Sequence, residues 1–210
     1  MEYEIISAFS RNKIQITTTT PMTNNLQIGF TEKVEIAIFD LDGTLVDTDA
    51  ANSAAYRCAL SSMGRYISPS VHRRISNSVV RRVFGNMERA ELAEIGELKS
   101  NAYTGELWRT SLSPAVKSLV EVWKKRSLFR KVVLLTDSAE RRAYETLRYW
   151  SLDGCFDEIV CNGGNGDKYA NYFSSFDSDP AACVVWENEN RQIHAAIAAG
   201  VKNDNIRKVA

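Results

Sequence analysis

The run Ile36-Ala37-Ile38-Phe39-Asp40-Leu41-Asp42-Gly43-Thr44-Leu45-Val46-Asp47 constrains this chain more than any other. Its first four residues are all apolar, which suits a strand buried on both faces, as in a covered parallel sheet. The run ends abruptly in two carboxylates separated by one residue, and Gly43 lets the backbone turn immediately after the second. Open α/β sheets place their ligands at the carboxyl ends of their strands, so chemistry is expected at Asp40 and Asp42. Carboxylates this close suit phosphoryl transfer, in which one attacks phosphorus while the other shuttles the proton of the leaving or attacking oxygen. Such a site calls for a divalent cation, because the Asp40 anion and a phosphate dianion repel each other. The D-x-D-G pattern is also ordinary turn chemistry, so further parts must decide.

The run resembles motif I of the haloacid dehalogenase superfamily, whose phosphatases use the first Asp as nucleophile and the second as acid/base. Three further motifs should then follow in order. Lys131-Val132-Val133-Leu134-Leu135-Thr136-Asp137-Ser138 is a second apolar stretch ending in a hydroxyl and is similar to motif II, which implies that Thr136 hydrogen-bonds the transferring phosphoryl group. Ala139 to Trp150 has helical spacing, and Leu152 to Val160 resembles the family's turn into its third strand. Lys168, in Gly166-Asp167-Lys168-Tyr169, falls where the family keeps its motif III lysine, although many relatives have proline where this chain has Tyr169. Cys183-Val184-Val185-Trp186-Glu187-Asn188 resembles motif IV, with Asn188 in place of the usual Asp. The Ala-rich stretch Ile193 to Gly200, with Gly at the C′ position of a helix, supports that register.

The resemblance implies a Mg²⁺-dependent phosphatase with Asp40, Asp42, Thr136 and Lys168 as catalytic residues. The implied metal set is Asp40, Asp42, Glu187 and Asn188, with Glu187 supplying the charge that the Asn188 amide lacks. Gly43, Thr44, Asp137 and Ser138 are the expected substrate-binding positions beside the phosphoryl group. Two other outcomes are open: a phosphomutase of the β-phosphoglucomutase type, and a binding or regulatory protein impaired at its metal site through Asn188.

Strands alternating with helices imply a three-layer, doubly wound parallel sheet, a Rossmannoid core formed by residues 32–48 and 113–210. Residues 49–112 are poor in strand signals and resemble the family's C1 helical cap, expected to close over the phosphoryl site. Helical patterns run from Ala50 to Met63, Pro69 to Phe84 and Met87 to Trp108, with Gly85 and Gly96 as breaks. Arg73, Arg74, Arg81 and Arg82 form two basic pairs near one helix face. Arg73 and Arg81 are therefore candidates to grip an anionic substrate, the alternative being a solvated face. Ser113 reads as an N-cap with Pro114 at the first helical position, and the last strand is expected over Asn205 to Val209. Residues 1–31 read as a β-hairpin or a disordered arm.

With 44% hydrophobic residues in 210, the chain can bury one sizeable core. Its formal net charge of zero offers no field for nucleic acid or an anionic membrane. A small phosphorylated metabolite is the expected partner, with no nucleic acid or membrane, and the protein is expected to be a monomer or homodimer. No apolar run reaches the roughly 20 residues of a membrane helix, and the N-terminus lacks a signal-peptide pattern, so the cytoplasm is expected. Cys58, Cys155, Cys161 and Cys183 lack C-x-x-C spacing and read as reduced thiols. His72 and His194 read as ordinary helix residues.

Overall fold

The computed structural model describes residues 34–68, 74–85, 87–176 and 178–209. The expected N-terminal arm, His72 and Arg73 lie outside the described residues. The chain forms two compact units, one holding the described residues up to Asp40 and from Lys117 onward, the other Leu41–Val116. In chain order the elements are β1 (Ile36–Phe39), β2 (Val46–Asp47), α1 (Asp49–Ser62), α2 (Asn77–Phe84), α3 (Arg89–Tyr103), β3 (Ser111–Leu112) and α4 (Val116–Lys124). They continue with β4 (Lys131–Thr136), α5 (Glu140–Tyr149), β5 (Glu158–Cys161), α6 (Lys168–Ser175), β6 (Cys183–Glu187), α7 (Asn190–Ala198) and β7 (Ile206–Lys208).

In the first unit five parallel strands take the order β5-β4-β1-β6-β7. This matches the expected doubly wound parallel sheet with flanking helices. The registers Phe39↔Leu134 and Phe39↔Trp186 put the carboxyl ends of β4 and β6 on either side of the end of β1. Alternate strand residues face opposite ways. Ile36, Ile38, Val133, Leu135, Cys183 and Val185 cluster with Tyr169 and Tyr172 of α6 and Ala196 of α7. Ala37, Phe39, Val132, Leu134, Val184 and Trp186 are also buried, and the Phe39 and Trp186 rings stack at 4.2 Å. Burial on both faces explains why these strands read as unbroken apolar runs.

The second unit is built on α1, α2 and α3, whose apolar faces share a cluster of Tyr56, Leu60, Val80 and Ile95, joined by Ile75 from the segment before α2. The sequence reading differs from the structure here in three places. Helix α2 begins only at Asn77, because Ser76 accepts a hydrogen bond from the Val79 N–H and the preceding Ile75 gives its own N–H to Ser53 Oγ at 3.0 Å. Gly96 does not break a helix; it lies inside α3, where burial of Ile95 and Tyr103 outweighs glycine's poor helix propensity. The two-residue strands β2 and β3 pair antiparallel, Val46 with Leu112 and Asp47 with Ser111, and are too short to leave a periodic signal.

Smaller shifts occur elsewhere in the chain. Ser113 Oγ accepts the Ala115 N–H at 3.0 Å, so Ser113 and Pro114 form a turn and α4 starts at Val116. The last strand is Ile206–Lys208, with Asn203–Asn205 in a short 3₁₀ turn. Among the described residues no helix is long and apolar enough to cross a membrane.

Candidate active site

Asp40 follows the last residue of β1, where its N–H donates to the Trp186 carbonyl at 3.1 Å and its side chain is buried. Thr136 ends β4 and Glu187 ends β6, both buried. The sheet thus gathers a carboxylate, a hydroxyl and a second carboxylate on three adjacent strand ends, the edge at which α/β sheets bind ligands.

Lys168 reaches this edge from α6. A loop brings it there: the Asn162 N–H donates to the Thr136 carbonyl at 2.8 Å, and Gly163, Gly164 and Gly166 take left-handed φ of 62°, 76° and 78°. A side chain at those positions would strain the loop. Asp167 then caps α6 by accepting the Tyr169 and Ala170 N–H groups at 2.9 and 3.1 Å. The Lys168 Nζ lies 2.7 Å from Asp40 Oδ1 and 2.8 Å from Glu187 Oε2 with only 2% of its side chain exposed. Burial alone would lower its pKa, but the two carboxylates outweigh that effect and hold the ammonium above the ordinary lysine range.

Glu187 is saturated. Its Oε1 accepts the N–H groups of Asn188 and Glu189 at 3.0 and 3.1 Å. Its Oε2 accepts the Lys168 ammonium and, at 3.0 Å, the hydroxyl of Tyr169. Expected from the sequence as a metal ligand, Glu187 is here turned toward Lys168, with four donors on its two oxygens. Tyr169 was not expected to matter; only its departure from the proline of relatives signalled it.

Asp137 was expected against substrate, but both its oxygens are engaged by amides: Asn162 Nδ2 donates to Oδ1 at 2.8 Å and Gln192 Nε2 to Oδ2 at 2.6 Å. The Ser138 N–H donates to Thr136 Oγ1 at 3.1 Å, and Ser138 Oγ receives the Arg142 guanidinium. In the second unit, Asp42 Oδ1 accepts the Thr48 hydroxyl at 2.5 Å. Gly43, at a φ of 78°, turns the chain so that its N–H meets the Val46 carbonyl, and Thr44 is fully buried. Thr48 was missed by the sequence reading, since nothing local distinguishes it from a turn threonine. Arg81 is exposed on α2.

Among the described residues no cluster of three or more His, Cys, Asp or Glu side chains stands ready for a metal. The oxygen donors Asp40 and Asn188 nevertheless fit a hard cation. The buried charges of Asp40, Glu187 and Lys168 leave one net negative, so a divalent ion is attracted, though less than by a site with a carboxylate at 188.

A strand-end carboxylate, a buried lysine and a parallel sheet form the core of the site, and residues 37–204 match the haloacid dehalogenase-like hydrolases: the chain belongs to that family. It is 29% identical over 184 residues to a phosphorylated carbohydrates phosphatase of Thermotoga maritima, covering 80% of this chain and 83% of that protein. A Thermotoga maritima structure provisionally described as a β-phosphoglucomutase is similar at 26% identity and a TM-score of 0.58, over 83% of this chain and 85% of the other. CbbY from Rhodobacter sphaeroides, solved with phosphate, shares the fold at 18% identity and a TM-score of 0.63, over 80% and 84% of the two chains.

Proposed function

We propose that the protein is a Mg²⁺-dependent phosphatase that hydrolyses a small phosphomonoester through an aspartyl-phosphate on Asp40. The observation that carries this reading is the buried contact of Lys168 with Asp40 and Glu187 at a parallel-sheet edge. A carboxylate buried beside a fixed ammonium is a poor structural device, since burying such a pair gains little stability. It is a good phosphoryl site, because the ammonium screens the nucleophile from the phosphate oxygens and stays in place as charge shifts.

In the first step an Asp40 oxygen bonds to phosphorus as the ester P–O bond breaks, and the leaving oxygen takes a proton from the Asp42 carboxyl. In the second, the Asp42 carboxylate takes a proton from water, whose oxygen attacks phosphorus; the Asp40–phosphorus bond breaks and inorganic phosphate leaves. The Thr48 hydroxyl orients Asp42 for both transfers. The Thr136 hydroxyl and nearby backbone amides hold the phosphoryl oxygens. Asp40, the Asp42 carbonyl and Asn188 would hold Mg²⁺, which neutralises phosphate charge when bound, while Glu187 holds Lys168.

The named activity of the 29% identical relative makes phosphorylated sugars the first substrates to try. The protein is proposed to act in the cytoplasm, as a monomer or homodimer, on a small metabolite rather than a nucleic acid or membrane. Phosphate release from a panel of phosphorylated sugars and acids, titrated with Mg²⁺, tests the reading with Asp40→Asn as control. Metal-dependent release lost in the control is expected. Conversion of a sugar phosphate to its isomer without net release would instead make it a mutase. Phosphate or vanadate binding without turnover would make it a binding protein, the outcome Asn188 favours.

A further inference from the structure

Tyr169 is a fully buried polar group that the proposed reaction leaves unused. We infer that Tyr169 is a positioning residue, whose hydroxyl acts through Glu187 to fix the Lys168 ammonium against Asp40; this rests on the phosphoryl-transfer reading.

Tyr169 is fully buried, follows Lys168 directly in α6, and spends its hydroxyl on Glu187 Oε2 at 3.0 Å. That oxygen is the one the Lys168 Nζ also meets, at 2.8 Å. The Lys168 Nζ further lies 5.2 Å from the centre of the Tyr169 ring, within range of a cation–π contact. One side chain therefore touches both the lysine and its anchor. A core tyrosine needs only some acceptor for its hydroxyl; here the acceptor is a carboxylate that already has three other donors. With Oε1 held by two backbone N–H groups, the carboxylate plane cannot swing. Without the phenol, Oε2 keeps the ammonium as its one donor and has a vacant lone pair open to a cation or water, which then competes with Lys168 for its anchor.

Tyr169→Phe keeps the ring and removes the oxygen. A hydrogen bond to a charged group contributes enough that its loss predicts about a tenfold fall in kcat. The wild type, Tyr169→Phe, Glu187→Gln and the double variant are compared with p-nitrophenyl phosphate under saturating Mg²⁺. The expected result is a fall of about tenfold in kcat for Tyr169→Phe, with KM within about twofold, and no further fall when Tyr169→Phe is added to Glu187→Gln. Multiplying effects, or an unchanged kcat in Tyr169→Phe, would overturn the inference. A second readout is independent of catalysis: the ¹H–¹⁵N signal of the Lys168 ammonium should exchange with water several-fold faster in Tyr169→Phe. If the wild type turns over no phosphomonoester, the phosphatase reading fails while this measurement still decides whether Tyr169 holds Lys168; unchanged exchange would overturn the inference.

Discussion

Lys168 has two carboxylates within 2.8 Å and almost no exposure. Deleting one partner of such a group leaves uncompensated buried charge. Lys168→Met is therefore expected to destabilise the fold by about 3–5 kcal/mol in chemical denaturation, besides lowering kcat. Its raised pKa fixes the sign of the pH dependence. The folded state binds this proton more tightly than the unfolded chain, so the ion pair contributes fully below the unfolded lysine value near about 10.4 and is lost only as pH rises through the folded value. The stability gap between wild type and Lys168→Met should be constant from about pH 6 to about pH 9, whereas a gap that closes in that window would contradict the assignment. Asn188 bears on the cation instead. Asn188→Asp restores a negative oxygen donor and should lower the Mg²⁺ concentration needed for half-maximal rate; an unchanged requirement would remove Asn188 from the site.

At the scale of elements, periodicity identified what tertiary contact did not disturb. The strand ends carrying Asp40 and Thr136 were legible because their apolar runs, buried on both faces, end abruptly in polar side chains. The start of α2 was not, since it depends on Ile75 meeting Ser53, 22 positions away in the chain. The engagement of Glu187 by Lys168 and Tyr169 was not legible either, because it exists only once β6 and α6 have packed. Gly96 was read as a break on propensity alone, and its place inside α3 makes a prediction. A Cβ there meets nothing within 4 Å, and the residue has no positive φ. Gly96→Ala should raise stability by about 0.5–1 kcal/mol in thermal or urea unfolding. Destabilisation would mean that α3 is not continuous through this position.

For the molecule as a whole, the alternation of strands and helices announced a parallel α/β sheet, and the family match over residues 37–204 bears that out. Packing should also be visible in thiol chemistry. Burial pushes the thiols of Cys155 and Cys183 up to about 12 and that of Cys161 up to about 11, whereas Cys58 is exposed. Native protein at about pH 8 should therefore react rapidly with a thiol reagent at Cys58, and at the other three only after denaturation. Fast labelling of Cys155 or Cys183 would mean that the core is open. The proposed reaction requires that Asp40 become phosphorylated. Rapid quenching of enzyme with a phosphomonoester and Mg²⁺, followed by peptide mass spectrometry, is predicted to place one acid-stable, base-labile phosphoryl group on the peptide carrying Asp40 and none in Asp40→Asn. Turnover with that peptide unmodified at every quench time, or modification at another residue, would contradict it.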